Sequence, residues 1–135
     1  NPGATDFQEL SLGQPFRGRK GQGNGQRSLY EQVALKAREW DSRGNVGLVV
    51  GATYPEQMQT VRRLCPDMVI LAPGVGTQGG DLENTVKYGV NARGEGIIVN
   101  ASRSVIFASR DRADFAREAR RAAQELRQSI NKARE

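Results

Sequence analysis

The sequence contains no histidine and only one cysteine, Cys65. Without histidine there can be no Ser-His-Asp triad, no Cys-His dyad and no imidazole-ligated metal. A single cysteine rules out an internal disulfide framework, a zinc ribbon and a cysteine-held iron–sulfur cluster, and fits a reducing, cytoplasmic setting. No apolar run approaches the roughly 18–20 residues of a membrane span, and no segment reads as a signal peptide, so no membrane partner is expected. An initiator methionine is also missing. The chain opens in mid-motif at Asn1-Pro2-Gly3, which leads us to expect part of a larger protein.

What is present is 135 residues, 37% hydrophobic and 26% charged. That suits one domain rather than two. Lys and Arg number 20 against 15 Asp and Glu, a net charge of +5, and 16 of the 20 basic residues are Arg. The excess lies at the two ends, with residues 28–109 balanced at eight of each sign. A basic chain invites a nucleic-acid reading, and residues 17–27 look like a Gly/Arg tract. No aromatic residue interleaves with those arginines, so the stacking used by single-strand binders is missing. A small basic module that binds nucleic acid through residues 17–27 and the last helix therefore stays as an alternative. A phosphate-binding module without catalysis is a further one.

Residues 1–27 are rich in Gly, Gln and Pro, show no sustained period and read as a long loop. Regular patterning begins at Ser28. A helix is expected over 28–42, opened by a Ser28/Glu31 capping box, lined by Tyr30, Val33, Ala37 and Trp40, and stopped at Gly44. Val46–Val50 reads as a buried strand. Thr53 and Glu56 suggest a second capping box, with Pro55 early in a helix lined by Met58, Val61, Leu64 and Cys65. A strand at 68–72, a short helix at 81–88, a strand at 96–100 and a helix at 112–133 follow. The last helix carries Ala116, Ala119, Ala123, Leu126, Ile130 and Ala133 at spacings of three and four, which fits docking on a core. Strands apolar on both faces that alternate with amphipathic helices imply a parallel sheet covered by helices. Three strands cannot close a barrel, but they make an open sheet or most of one half of an eight-fold βα barrel.

Three segments stand where strands should end, the usual place for sites in α/β proteins. Gly51-Ala52-Thr53 is the first. The second, Pro73 to Asp81, holds four glycines between 74 and 80. Such a turn lets backbone N–H groups approach an oxyanion. It is not a Walker loop, since no Gly-Lys-Ser or Gly-Lys-Thr follows, and its Gly-x-Gly-x-x-Gly is by itself a weak sign of a dinucleotide site. Gln78 stands out there, polar where only turn formers are needed. The third segment is Asn100-Ala101-Ser102-Arg103-Ser104, whose Arg103 can fork two hydrogen bonds onto a phosphate. If the last two strands are the seventh and eighth of a barrel, Gly76, Gln78 and Arg103 converge on one phosphate.

Taken in order, Asn1-Pro2-Gly3, Val49–Thr53, Pro73–Asp81, Asn100–Arg103 and the ending Ile130–Arg134 closely resemble the C-terminal half of orotidine 5'-phosphate decarboxylase, in its longer bacterial subfamily. The resemblance covers essentially the whole chain, and the Pro73–Asp81 string is its most specific element. It implies an α/β fold, the C-terminal half of a (β/α)8 TIM barrel. Residues 1–135 would form one partial domain of three βα units, led by a loop (1–27) that follows the fifth strand. It implies decarboxylation of orotidine 5'-monophosphate to UMP, in pyrimidine biosynthesis, with no cofactor and no metal. By the resemblance, Gln78 bridges the pyrimidine and the phosphate from a closing loop. Arg103 holds the phosphate with help from backbone N–H groups nearby, and the Asn1 segment lies beside the base. Gly76, Ser102 and Thr53 complete the expected substrate contacts. The implied partners are the N-terminal half of the same protein and a second subunit in a homodimer; no nucleic acid is implied. The family's Asp-x-Lys-x-x-Asp motif is absent: Lys20, Lys36, Lys87 and Lys132 all lack that surrounding. No catalytic residue is therefore assigned within the chain, which alone should be inactive.

Overall fold

The structure, a computed structural model, describes residues 11–12, 27–75 and 81–135. Within the expected leading loop, β1 (Ser11–Leu12) pairs antiparallel with β2 (Arg27–Ser28), a two-residue ribbon with no signal in the sequence. Then come α1 (Leu29–Trp40), β3 (Gly47–Val49), α2 (Pro55–Leu64), β4 (Val69–Pro73), α3 (Leu82–Gly89), β5 (Ile97–Asn100), a single turn α4 (Arg103–Ile106) and α5 (Phe115–Ala133). Strands β3, β4 and β5 form a parallel sheet in that spatial order. The alternation of strand and helix thus appears as the sequence predicts.

The helices start and stop for local reasons. At the head of α1 the Glu31 carboxylate accepts from the Ser28 N–H at 2.8 Å and the Ser28 hydroxyl at 2.9 Å. This satisfies groups that the first turn would leave orphaned. The second expected box does not form. Tyr54 is the N-cap of α2 and Pro55 its first residue, so Thr53 lies one position too early to cap. Helix α3 is capped instead by Asp81, whose side chain accepts from the Asn84 N–H at 3.0 Å. Helix α5 begins at Phe115 rather than 112, because residues 109–114 are tied into a polar turn by Ser109, Asp111 and Asp114.

The core lies between the helices and one face of the sheet. Met58, Val61 and Cys65 of the α2 segment meet Ile70 and Ala72 of β4, with Ala34 and Ala37 of α1 beside them. Burying each large side chain contributes roughly 1.5–3 kcal/mol. The expectation of strands covered on both faces is corrected here. In β4, Ile70 and Ala72 are buried while Val69 is 46% exposed, and Val49 of β3 and Ile98 of β5 are 71% and 56% exposed. Register places Val49 beside Leu71 and Leu71 beside Ile98, so these residues share one open apolar face. Val33 and Trp40 of the α1 stripe are exposed too, and it is Ala34 and Ala37 that face the core. Helix α5 docks along α3 with no fully buried residue; its Ala119, Leu126, Ile130 and Ala133 are half-buried.

One end of the sheet is fixed by a residue the sequence reading missed. Arg62 of α2, 7% exposed, donates to Gly89 O through Nε (2.8 Å) and Nη2 (2.6 Å). It also donates to the carbonyls of Cys65, Pro66, Met68 and Gly96 at 2.7–3.2 Å. It thereby ties the ends of α2 and α3 to the starts of β4 and β5. Burial draws its pKa below the ordinary arginine value, with the charges of Cys65 and Asp67 opposing. Gly96, at φ +81°, turns its carbonyl toward this guanidinium in a conformation that side-chain-bearing residues rarely adopt.

Candidate functional site

The opposite end of the sheet gathers the three segments singled out from the sequence. The ladder continues past β3, with Val50 N–H donating to Leu71 O at 2.9 Å and Ala52 N–H to Pro73 O at 3.0 Å. Pro73 in turn pairs with Asn100. Gly51–Thr53, Pro73–Val75 and Asn100–Arg103 therefore leave the sheet side by side at its C-terminal edge. Strands in a sheet lie about 4.8 Å apart, so the exits of β4 and β5 are immediate neighbours and that of β3 is roughly 10 Å from β5.

At the middle exit the chain turns at Gly74, with φ +89°, directly after β4. Val75 is buried, and Asp81 caps the start of α3. Hydrogen bonds from the Asn84 backbone and side chain hold the Asp81 carboxyl below the usual carboxylate range. Gly76 and Gln78 lie outside the described residues, as does Asn1. Strands β4 and β5, which lead to Gly74 and to Arg103, are hydrogen-bonded neighbours with their C-terminal ends level.

At the third exit Arg103 is the first residue of α4, a helix the sequence reading took for loop. The Ser102 carbonyl accepts from the N–H groups of Val105 (3.3 Å) and Ile106 (2.8 Å). The Ser102 hydroxyl donates to Asn100 Oδ1 at 3.4 Å, a long bond that closes the strand end onto the helix start. Arg103 is exposed and makes no salt bridge among the described residues. Thr53 lines a cavity of about 270 Å³ between α1, the end of β3 and the start of α2, with Leu29, Tyr30, Val33, Val49 and Tyr54 among its walls. Thr53 and Arg103 are thus on the same edge of the sheet but not adjacent. Among the described residues no cluster of three or more Cys, Asp or Glu is placed to hold a metal ion, and no helix is long and apolar enough to cross a membrane.

No protein-family model matches the sequence. Curated relatives do. The chain is 50% identical over 134 residues to the orotidine 5'-phosphate decarboxylase of Roseiflexus castenholzii, a match covering 98% of this chain and 45% of that protein. Among solved structures, Leishmania donovani OMP decarboxylase superposes with a TM-score of 0.76 at 36% identity, covering 99% of this chain and 45% of the other. Leishmania donovani UMP synthase does so with a TM-score of 0.80 at 38% identity, covering 99% of this chain and 26% of that one. These neighbours are βα barrels, of which this α/β chain matches a part. The chain spans about 45% of the length of the curated relatives it matches. Over nearly its whole length it is a homologue of orotidine 5'-phosphate decarboxylases, matching somewhat under half of each.

Proposed function

We propose that this chain is the phosphate-binding part of an enzyme that decarboxylates orotidine 5'-monophosphate to UMP. The observation that carries the reading is the likeness to decarboxylases over 98% of the chain at 50% identity. The common edge at which the β4 turn and Arg103 leave the sheet supports it, since α/β proteins bind ligands at that edge. In this reading Arg103 forks onto the phosphate, with Ser102 and the backbone of Gly76 beside it. Gln78 bridges phosphate and pyrimidine, Thr53 contributes from the neighbouring strand end, and Asn1 lies beside the base. The bond that breaks joins the pyrimidine ring carbon to the carboxylate carbon. The electron pair stays on the ring carbon as CO2 leaves, and a lysine of the remaining part of the protein donates the proton.

The division of labour has a physical basis. Phosphate is remote from the bond that breaks, so binding energy gained there can hold the reacting ring among the charged groups that lower the barrier. The open apolar face of the sheet, with Val49, Leu71 and Ile98, is the surface on which the rest of a barrel would pack. The reading also includes a homodimer and a cytoplasmic location.

The test is a decarboxylation assay of the complete polypeptide, followed as loss of orotate absorbance. Replacing Arg103 by Ala should raise KM about a hundredfold, the loss of roughly 3 kcal/mol from a charged phosphate contact, with the melting temperature unchanged. The isolated chain should show no turnover. Absence of decarboxylation by the complete polypeptide would sink the reading, and turnover by the isolated chain would sink the assignment of the proton donor to the other part.

A further inference from the structure

The pleat of β5 separates its side chains into two sets. Ile97 faces the helices: a Cβ built on Gly89 of α3 would run into the Ile97 side chain. Val99 shares that side and is half-buried. Ile98 and Asn100 therefore project from the opposite, open face. On that face the described strand residues are Gly47, Val49, Val69, Leu71, Pro73, Ile98 and Asn100, so register makes Asn100 the one polar side chain among them. It sits at the C-terminal rim, level with Pro73 and three residues before Arg103.

Asparagine is a poor strand former, and nothing in the packing of an apolar face calls for one. The side chain is exposed at the rim, open to a ligand that reaches the strand end. Its oxygen already receives the Ser102 hydroxyl, at 3.4 Å. Its NH2 group brings two donors to the end of the sheet where Arg103 stands. We propose that Asn100 is a substrate-contacting residue whose NH2 donates to a phosphate or ribose oxygen of the ligand held by Arg103, while its oxygen keeps Ser102 in place. This rests on the reading of the site given above and adds a residue to it.

The test uses the complete polypeptide with orotidine 5'-monophosphate and three variants: Asn100→Ala, Asn100→Asp and Arg103→Ala. Asn100→Ala should raise KM roughly tenfold, the loss of one hydrogen bond to a charged or strongly polar oxygen. Asn100→Asp should raise it further, because the carboxylate repels the phosphate, and added salt should shrink that excess. Melting temperatures should stay at the parent value. A purely structural Asn100 predicts the reverse order, since Asp keeps the acceptor that Ser102 needs. An Asp variant that behaves as the parent does, or a KM unchanged in both Asn100 variants while Arg103→Ala raises it, overturns this proposal alone. A KM unchanged in Arg103→Ala overturns the site reading, and this proposal with it.

Discussion

Arg62 offers the most direct test of how the sheet is held. Replacing it by Met keeps much of the apolar stem and removes the guanidinium. Five backbone carbonyls lose a donor: Cys65, Pro66, Met68, Gly89 and Gly96. The Gly96 carbonyl keeps the Ile70 N–H, at 2.9 Å, so up to four are left without a partner. A buried carbonyl stripped of its partner costs at least about 1 kcal/mol, which gives roughly 4 kcal/mol in all. Removing a charge that was itself expensive to desolvate returns part of this. The expected net loss is about 3 kcal/mol, read as a lower urea midpoint at constant slope in equilibrium unfolding of the complete polypeptide. Lys at 62 should recover little, because one ammonium cannot span carbonyls that the planar fork reaches in several directions. A loss below about 1 kcal/mol would refute the reasoning and mean that water or backbone adjustment replaces the guanidinium readily.

Two further outcomes follow from the core and the open face. Cys65 is buried, its Sγ donating to Ala34 O at 3.4 Å, and burial raises its thiol pKa above the ordinary 9.0 despite the nearby charges of Arg38 and Arg62. It should resist a thiol reagent until the protein unfolds, and its contribution to stability should be complete below that ordinary value and fade as pH climbs from there toward the folded one; rapid labelling of the native protein would contradict this. Ile98, 56% exposed in this chain, should behave as a core residue in the complete polypeptide. There Ile98→Ala should cost roughly 2–4 kcal/mol in urea unfolding, whereas a change within about 0.5 kcal/mol would show that nothing packs on the open face.

The order of the main elements was legible because β3, β4 and β5 are short apolar runs bordered by glycine or proline and the longer helices carry a periodic stripe. Parallel pairing followed from that order. Burial on both faces did not follow, because an apolar run records what a strand is built to contact and not whether the contact lies within this chain. Val49, Val69 and Ile98 are apolar for a face that these residues do not cover. The Thr53 box failed on a one-residue shift, with Pro55 fixing the start of α2 and leaving Tyr54 at the cap. Arg62 carried a faint signal. It sits between Val61 and Cys65 on the inward stripe of α2, where a charge must find several acceptors or be excluded. Among 16 arginines that signal was easy to pass over. Of the site, the strand ends were legible, and Arg103 with them. The turn of helix that Arg103 begins was not, since four residues are too few to show a period. Asn100 became visible only through register, because a residue's face depends on its neighbours' pairing and not on its own type.

The two ends of this sheet do different work, and the difference can be measured. Arg62 binds four chain segments at the N-terminal end using backbone acceptors alone, so its effect should fall on stability. Arg103 projects from the C-terminal end without a salt bridge among the described residues, so its effect should fall on ligand affinity. The length of the sheet separates them, with the Arg62 contacts at the starts of β4 and β5 and Arg103 past the end of β5. Groups so far apart with no shared partner should act independently. Arg62→Met should lower the urea midpoint and leave KM at temperatures well below unfolding. Arg103→Ala should do the reverse, and the double variant should show both effects at full size. A KM that rises in Arg62→Met while the protein is still folded would mean that the sheet transmits strain from one end to the other. Gly74, Val75 and α4 would then depend on the register that Arg62 sets.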